Sequence, residues 1–340
     1  LTATMKDLAK YTNLSLGTIS KYINGGTVKP KNKQLIDEAI KELGFQVNQF
    51  ARSLKTNRSN TIGIIIPSME NYFCTSLVSY VEKYISVYGY SVMICNYQEK
   101  EKKEREQINF LVSKQVDAIV IVSTCSIETQ KLIKEVIQKG TYVVSVDRKL
   151  DKIECDTVAV DNCSISKKVT EYLIENGHQK IAVVCGPRKI STASERLQGY
   201  IEAFNSYGIP VYQDYIVYGD YYSQSGYKQA MKLLELEEPP TAIFATNYDM
   251  TLGVIKALNQ KKLQIAKDIS VVGFDNLSIA EIIQPTLTIV TQPMKTLAKK
   301  AAELIVKRID KKEELSFPCN ITLQAKLIMG NSVKNISSFL

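Results

Sequence analysis

The stretch TMKDLAKYTNLSLGTISKYINGG, residues 4–26, decides how the chain begins. Thr4 and Asp7 stand three apart ahead of Leu8 and Ala9, the spacing at which a hydroxyl caps the first turn of a helix and an acid answers the cap's own N–H. That helix is expected to stop near Thr12-Asn13. Ser15 caps the next, whose apolar positions Leu16, Ile19 and Ile23 follow the three-four spacing until Gly25-Gly26 stops it. A third helix, from about Lys31 to Leu43, puts Leu35, Ile36, Ala39, Ile40 and Leu43 on one side, with Gly44 as its stop. Helix, tight turn and second helix, braced by a third and rich in lysine, meet the requirements of a helix-turn-helix DNA reader. An arbitrary three-helix bundle satisfies the same periodicity, so spacing alone does not choose.

Charge points the same way. Residues 1–60 carry ten Lys or Arg against four Asp or Glu, a net +6, whereas the whole chain of 340 residues carries +8. A small basic head on a nearly neutral body suggests a polyanion partner for the head and a different task for the body. With 45% hydrophobic and 23% charged residues, collagen-like, mucin-like and wholly disordered readings are excluded, and the length suits about two or three domains. Apolar runs such as 62–67 and 118–122 fall far below the roughly 18 residues needed to cross a bilayer, and no basic-then-apolar leader opens the sequence. A soluble cytoplasmic protein without membrane partners is expected.

The seven cysteines, at 74, 95, 125, 155, 163, 185 and 319, show no zinc-clip spacing and are expected as structural thiols. The single histidine, His178, follows Asn176-Gly177 at an expected helix end, where a capping role fits. No Gly-x-Ser-x-Gly elbow accompanies it, so neither a metal site nor a catalytic triad is expected, and no cofactor.

From Thr61 the pattern changes to short β-branched runs alternating with helical periods. Strands are expected at 62–66, 92–95, 118–122, 142–146, 157–160, 181–185, 242–244 and 271–274, with helices at 75–88, 102–114, 164–176, 194–207, 226–236 and 250–261. This alternation predicts α/β architecture, two doubly wound parallel sheets with helices on both faces, and a ligand at the strand C-terminal ends between them. Nucleotide enzymes favour such folds, but no phosphate loop and no Gly-x-Gly-x-x-Gly follows any strand.

Residue identities complete the reading. Thr4-Met5-Lys6-Asp7-Leu8-Ala9, Leu14-Ser15-Leu16-Gly17-Thr18-Ile19-Ser20-Lys21 and Ile23-Asn24-Gly25 resemble the head of the lactose-repressor/galactose-repressor family of bacterial transcription regulators. Asn48-Gln49-Phe50-Ala51-Arg52-Ser53-Leu54 resembles that family's hinge helix, with Val47 where the family usually has proline. The likeness continues through Ile62-Gly63-Ile64-Ile65-Ile66-Pro67, Gly177-His178, Arg196-Leu197-Gln198-Gly199-Tyr200, Leu252-Gly253, Val272-Gly273-Phe274-Asp275-Asn276 and Pro285-Thr286-Leu287-Thr288. It implies a head at 1–46, a hinge and linker at 47–60, and a body of periplasmic-binding-protein type at 61–340. The body would divide into one subdomain of about 61–160 and 291–321 and another of about 161–290 and 322–335.

By position, the resemblance implies Leu16, Gly17 and Lys21 as the residues facing base edges in the major groove. Lys21 stands where arginine is commoner and donates as a point charge without the planar fork. For Leu16, contact with a thymine methyl and a place in the core both stay open. Ser15, Thr18, Ser20 and Asn24, with Thr4 beside them, are candidates for phosphate and sugar contacts. Asn48, Ala51 and Leu54 fall in the implied hinge helix, with Leu54 as an apolar wedge between central base pairs.

In the body, the resemblance implies Arg196 and Asp275 as the grip on ligand hydroxyls, with Asn247 beside them, Tyr221 as an aromatic wall, and Phe73 and Asp147 from the other subdomain. The chain reads Asn247-Tyr248-Asp249 where the family often shows Asn-Asp. The implied partners are near-palindromic operator DNA, a small carbohydrate-like effector and a second copy of the chain, and the implied function is a repressor rather than an enzyme. A nucleobase or a phosphocarrier protein as co-regulator stays open, as does a sugar-binding transport or receptor protein, which would leave the basic head unused.

Overall fold

The computed structural model describes residues 3–23, 25–45, 58–275, 278–310 and 316–337. The chain divides into two compact units, Leu1–Ser59 and Asn60–Leu340.

In the first unit, α1 (Met5–Thr12), α2 (Leu16–Ile23) and α3 (Pro30–Leu43) surround a core of Leu8, Ile19, Ile36, Ala39 and Phe45. The expected capping box is present: Thr4 N–H donates to Asp7 Oδ2 at 2.8 Å, and Asp7 N–H donates to Thr4 Oγ1 at 3.4 Å. Ser15 Oγ accepts from Thr18 N–H at 3.2 Å and starts α2. Tyr22 Oη donates to Asp37 at 2.5 Å and ties α2 to α3. Leu35 departs from the expected core face at 36% exposed, and Leu16, open to either a core or a DNA-facing place, is 46% exposed. Leu16 opens its helix with no preceding turn to cover it, and Leu14 from the turn packs on the core instead.

In the second unit the alternation yields two six-stranded sheets. The first takes β1 (Thr61–Ile66), β2 (Ser91–Asn96), β3 (Ala118–Ile121), β4 (Tyr142–Val146) and β5 (Asp156–Val160), separated by α4 (Tyr72–Ser86), α5 (Glu101–Ser113) and α6 (Ile127–Gln138). The second lobe holds α7 (Asn162–Glu175), β6 (Ile181–Cys185), α8 (Ser191–Ser206), β7 (Ile216–Tyr218), α9 (Ser223–Leu234), β8 (Ala242–Ala245), α10 (Tyr248–Gln260), β9 (Ser270–Phe274) and β10 (Thr288–Thr291). The chain then returns to the first lobe for α11 (Met294–Asp310) and β11 (Asn320–Leu323), and crosses once more for β12 (Lys326–Ile328).

Strand order is β11-β5-β4-β3-β1-β2 in one sheet and β12-β10-β9-β8-β6-β7 in the other. All pairings are parallel except β12 on β10. The sheets are parallel-dominated, as expected, and the cause of the one exception is geometric. β11 ends at the cleft, and the chain passes straight into the other sheet, whose strands also end at the cleft; a strand starting there must run backwards. Strands such as β1 and β6 are nearly continuous in apolar residues because helices cover both faces of each sheet. No helix among the described residues is long and apolar enough to cross a membrane.

His178 closes its helix as expected: its backbone N–H donates to the Leu173 carbonyl at 3.1 Å, while Gly177 N–H donates to the Ile174 carbonyl at 2.8 Å. Its ring is buried, with Nδ1 2.8 Å from Thr241 Oγ1 and Nε2 3.1 Å from the Lys334 carbonyl and 3.0 Å from Ser270 Oγ. Beside it Gly177, at φ 90°, lets the chain pass so close that a Cβ there would lie 2.6 Å from Ser337 N. The ring therefore pins the C-terminal tail to the second sheet. Burial lowers the imidazole's pKa, so the native ring is neutral. Replacing His178 with Ala should cost about 1–3 kcal/mol at pH 8 by leaving buried groups unpaired. The native ring resists a proton that the unfolded ring takes up below about pH 6.5, so its contribution is full above that pH and declines as pH falls. The gap between wild type and His178→Ala in urea midpoints should therefore narrow from pH 8 to pH 5.5.

Candidate functional site

The parallel strands of both sheets end at a shared cleft holding a cavity of about 230 Å³. Pro67 and Ser68 follow β1, Val122 follows β3, and Asp147 and Arg148 follow β4. From the other lobe Asn247 follows β8, Asp275 follows β9 and Gln292 follows β10. Loops at these ends are where a doubly wound sheet places polar side chains that its interior cannot hold. The six body residues singled out in the sequence, Phe73, Asp147, Arg196, Tyr221, Asn247 and Asp275, all line this one cavity.

Their roles differ. Arg196 is buried, donating through Nε to Asn162 Oδ1 at 2.9 Å and through Nη1 to the Thr246 carbonyl at 2.6 Å, with its guanidinium 3.8 Å from the Phe274 ring centroid. Asp275 accepts from Tyr248 N–H at 3.2 Å and from the Gln292 amide. Among the described residues no ion pair joins Arg196 to Asp275, so both remain available to a third party. Asn247 is a positioning residue: its Oδ1 caps α10 by accepting from Met250 N–H at 3.1 Å, and its Nδ2 donates to the Tyr221 carbonyl at 3.1 Å. The Tyr221 ring lies against Gly186, where a Cβ would come within 2.2 Å of it, and its hydroxyl is 3.1 Å from Thr192 Oγ1. Phe73 belongs both to the cleft lining and to the first sheet's core. Asp147 is buried with Oδ1 unpartnered. Burial pushes its carboxyl up to about 6, against the pull of Arg196 and Arg148.

Sequence reasoning missed Arg148, Glu99, Asn71 and Asp249. Arg148 makes a two-point pair with Glu99 at 2.7 and 3.2 Å and donates to the Ser123 carbonyl at 3.0 Å. Asn71 Nδ2 donates to Asp249 Oδ2 at 2.8 Å, and the Tyr72 and Tyr248 rings lie 5.4 Å apart, so the lobes touch at the cleft mouth. The available signal was position: Arg148 adjoins Asp147 at a strand end, and Asp249 is the residue displaced by the unusual Tyr248. The seven cysteines are free thiols, and Cys74 lines the cleft. No group of three or more His, Cys, Asp or Glu among the described residues is placed to hold a metal ion.

In the head, Leu16, Gly17 and Lys21 are exposed on α2, and Thr18 and Ser20 are half-buried. Exposure of Leu16 removes the core alternative. Ser15 and Thr18 share a side-chain hydrogen bond of 2.9 Å, and the Thr4 hydroxyl donates to Asp7 at 2.7 Å, so Thr4 serves its own helix cap. Asn24, Asn48, Ala51, Leu54 and Asn276 lie outside the described residues.

Residues 59–329 match the family described as periplasmic binding proteins and sugar binding domain of LacI family. Over 338 residues the chain is 32% identical to the HTH-type transcriptional repressor PurR of Actinobacillus pleuropneumoniae serotype 3 (strain JL03), covering 98% of this chain and 99% of that one. It is 32% identical over 313 residues to catabolite control protein A of Priestia megaterium, covering 92% and 94%. Among solved structures, a transcriptional regulator CelR-cellobiose complex matches with a TM-score of 0.73 at 27% identity, covering 97% and 99%. A lac repressor dimer bound to operator and the anti-inducer ONPF matches with a TM-score of 0.88 at 22% identity, covering 98% and 100%, a likeness of fold.

The raised pKa of Asp147 has a measurable sign. The unfolded carboxyl ionises near 3.8 and the native one near 6, so its stabilising contribution is full below the first value and is lost as pH rises through the second. Asp147→Asn keeps a side chain that tolerates the left-handed backbone at this position (φ 68°). The variant should be more stable than wild type by about 2 kcal/mol at pH 7.5 and nearly equal at pH 4. Thermal denaturation of ligand-free protein at both pH values checks this, and no gain at pH 7.5 would show that Asp147 is already paired.

Proposed function

Because the chain belongs to the LacI family of transcriptional regulators, we propose that it is a DNA-binding repressor whose hold on operator DNA is set by a small molecule in the cleft. The observation that carries this is convergence. Six residues from two lobes, far apart in sequence, meet in one cavity, while the excess positive charge is concentrated in a separate helical head. The relatives are transcriptional repressors and regulators, not enzymes.

Exposed Leu16, Gly17 and Lys21 on α2 are the candidates for base edges, with Lys21 donating to a guanine and Leu16 meeting a thymine methyl. Ser15, Thr18, Ser20 and Asn24 would hold phosphate and sugar. Two heads from a homodimer would read paired half-sites, and segment 48–54, with Leu54 as wedge and Ala51 allowing close approach, would sit in the minor groove between them. For the effector, a fixed guanidinium and a carboxylate suit vicinal hydroxyls, and Tyr221 offers an apolar face to a sugar ring. One similar regulator holds cellobiose.

Two variants separate the parts. Removing residues 1–60 should abolish operator retardation in gel-shift assays while leaving ligand-induced thermal stabilisation of the body. Arg196→Ala should retain operator binding yet weaken the ligand by about 3 kcal/mol, since a buried charge-assisted contact is lost. A circular dichroism spectrum controls for folding. If the shortened body still retards operator, or if Arg196→Ala responds to ligand as wild type does, the assignment fails.

A further inference from the structure

The charges lining the cleft do not balance. Six carboxylates, Glu70, Glu99, Asp147, Asp220, Asp249 and Asp275, face two guanidinium groups, Arg148 and Arg196. Arg148 is committed to Glu99 by their two-point pair. Glu70 and Asp220 are exposed, where water and salt screen them. Asp147, Asp249 and Asp275 are left against the single guanidinium of Arg196, which is itself served by neutral partners. Among the described residues, the donors to Asp275 and Asp249 are neutral ones, from Tyr248, Gln292 and Asn71. Asp147, buried like Asp275, presents Oδ1 to no hydrogen-bond partner among the described residues.

Burial pushes the Asp147 and Asp249 carboxyls both up to about 6, and the charge on Asp275 adds to the rise in each. The cleft thus combines a net negative field with an acceptor that none of the described residues satisfies. A hydroxyl could donate to Asp147 but would leave the charge in place. A phosphate or carboxylate would add to it. An ammonium group supplies both the donor and the opposite charge.

We infer that the cleft selects an amine-bearing polyol, its ammonium group seated on Asp147 and its hydroxyls on Arg196 and Asp275, and turns away phosphorylated and carboxylated ligands. This rests on the cleft being the effector site. The negative field of Asp249 and Asp275 favours the cation, and the Asp147 carboxylate fixes where it sits.

The full-length protein at pH 7 tests this with matched ligand sets. One set is sorbitol and 1-amino-1-deoxysorbitol; others are each of glucose, galactose and mannose with its 2-amino, N-acetylamino and 6-phosphate derivatives. Calorimetric titration should find at least one amine-bearing member binding roughly tenfold or more tighter than its neutral and phosphorylated counterparts, the size expected of a partly desolvated charge pair. Asp147→Asn should erase most of that preference. The inference is overturned if a neutral or phosphorylated member binds as tightly as its amine, if no amine-bearing member binds, or if the preference survives in Asp147→Asn. Binding of a neutral or phosphorylated member that alters operator affinity would leave the repressor function standing. Loss of operator binding by the intact protein would instead remove the function itself.

Discussion

A guanidinium cannot shed its proton under ordinary conditions, so burying Arg196 obliges the surrounding chain to meet a fixed charge and five donors. Asn162 and the Thr246 carbonyl accept two of those donors and the face of Phe274 meets the cation, which leaves the other donors for a ligand. These partners lie just after β5, just after β8 and at the end of β9. One side chain from α8 therefore joins three places where strands end, including the first crossing between the lobes. The network continues: Asn162 donates to Glu195 at 3.0 Å, and Glu195 pairs with Lys149 of the first lobe at 2.6 Å. Polar groups at the cleft floor are thus held by one another before any ligand arrives, which keeps the lining in place and reduces the ordering a ligand must impose.

Backbone conformation adds a second constraint. Asp147, Tyr221 and Asp275 all lie in the left-handed region, at φ 68°, 69° and 78°. Aspartate visits it at modest cost, tyrosine at more, of order 1–3 kcal/mol. The neighbours hold Tyr221 there: Gly186 leaves room for the ring, Thr192 meets its hydroxyl, and Asn247 takes its carbonyl. Three such residues around one cavity turn side chains inward that a regular strand end would send elsewhere. Glu99, at φ 52°, also lines the cavity, and Asn60, Gln98, Gln115, Cys125, Lys262 and Ala266 take the same region elsewhere in the body.

Most of this architecture was legible because buried parallel strands are short, apolar and β-branched, and the helices between them keep a three-four rhythm. Strands 62–66 and 142–146 are examples. Where the rhythm failed, the structure explains it. β7, β11 and β12 are half-exposed edge strands of three or four residues, too short for a strand pattern to stand out. The helix Ile127–Gln138 is half polar, and α11 buries three alanines among its larger aliphatic residues, which weakens the contrast to its lysines. The ring contacts of His178 were not legible because their partners, Thr241, Ser270 and Lys334, are distant in sequence. The six cleft residues were legible through family resemblance, whereas the Asn71–Asp249 contact was not: it joins residues 178 positions apart on different lobes.

That contact bears on how a ligand can act at a distance. A ligand shifts a conformational equilibrium only by the difference in its binding to the two states. The lobes already meet through Asn71 and Asp249, through Tyr72 and Tyr248, and through Lys149 with Glu195. The hydrogen bond to the Asp249 carboxylate is worth about 1.5–3 kcal/mol, and the ring pair and the partly exposed ion pair about 1 kcal/mol each. Their sum is therefore smaller than the ~5.5 kcal/mol needed to swing an equilibrium from 1:99 to 99:1. The remainder must come from groups that a ligand reaches together only when both lobes face it. Asp147 belongs to the first lobe, and Arg196, Tyr221 and Asp275 to the second. A molecule bridging them gains its full contact set in the closed arrangement and half in any other. Control thus resides in the division of the site between lobes rather than in the strength of either half.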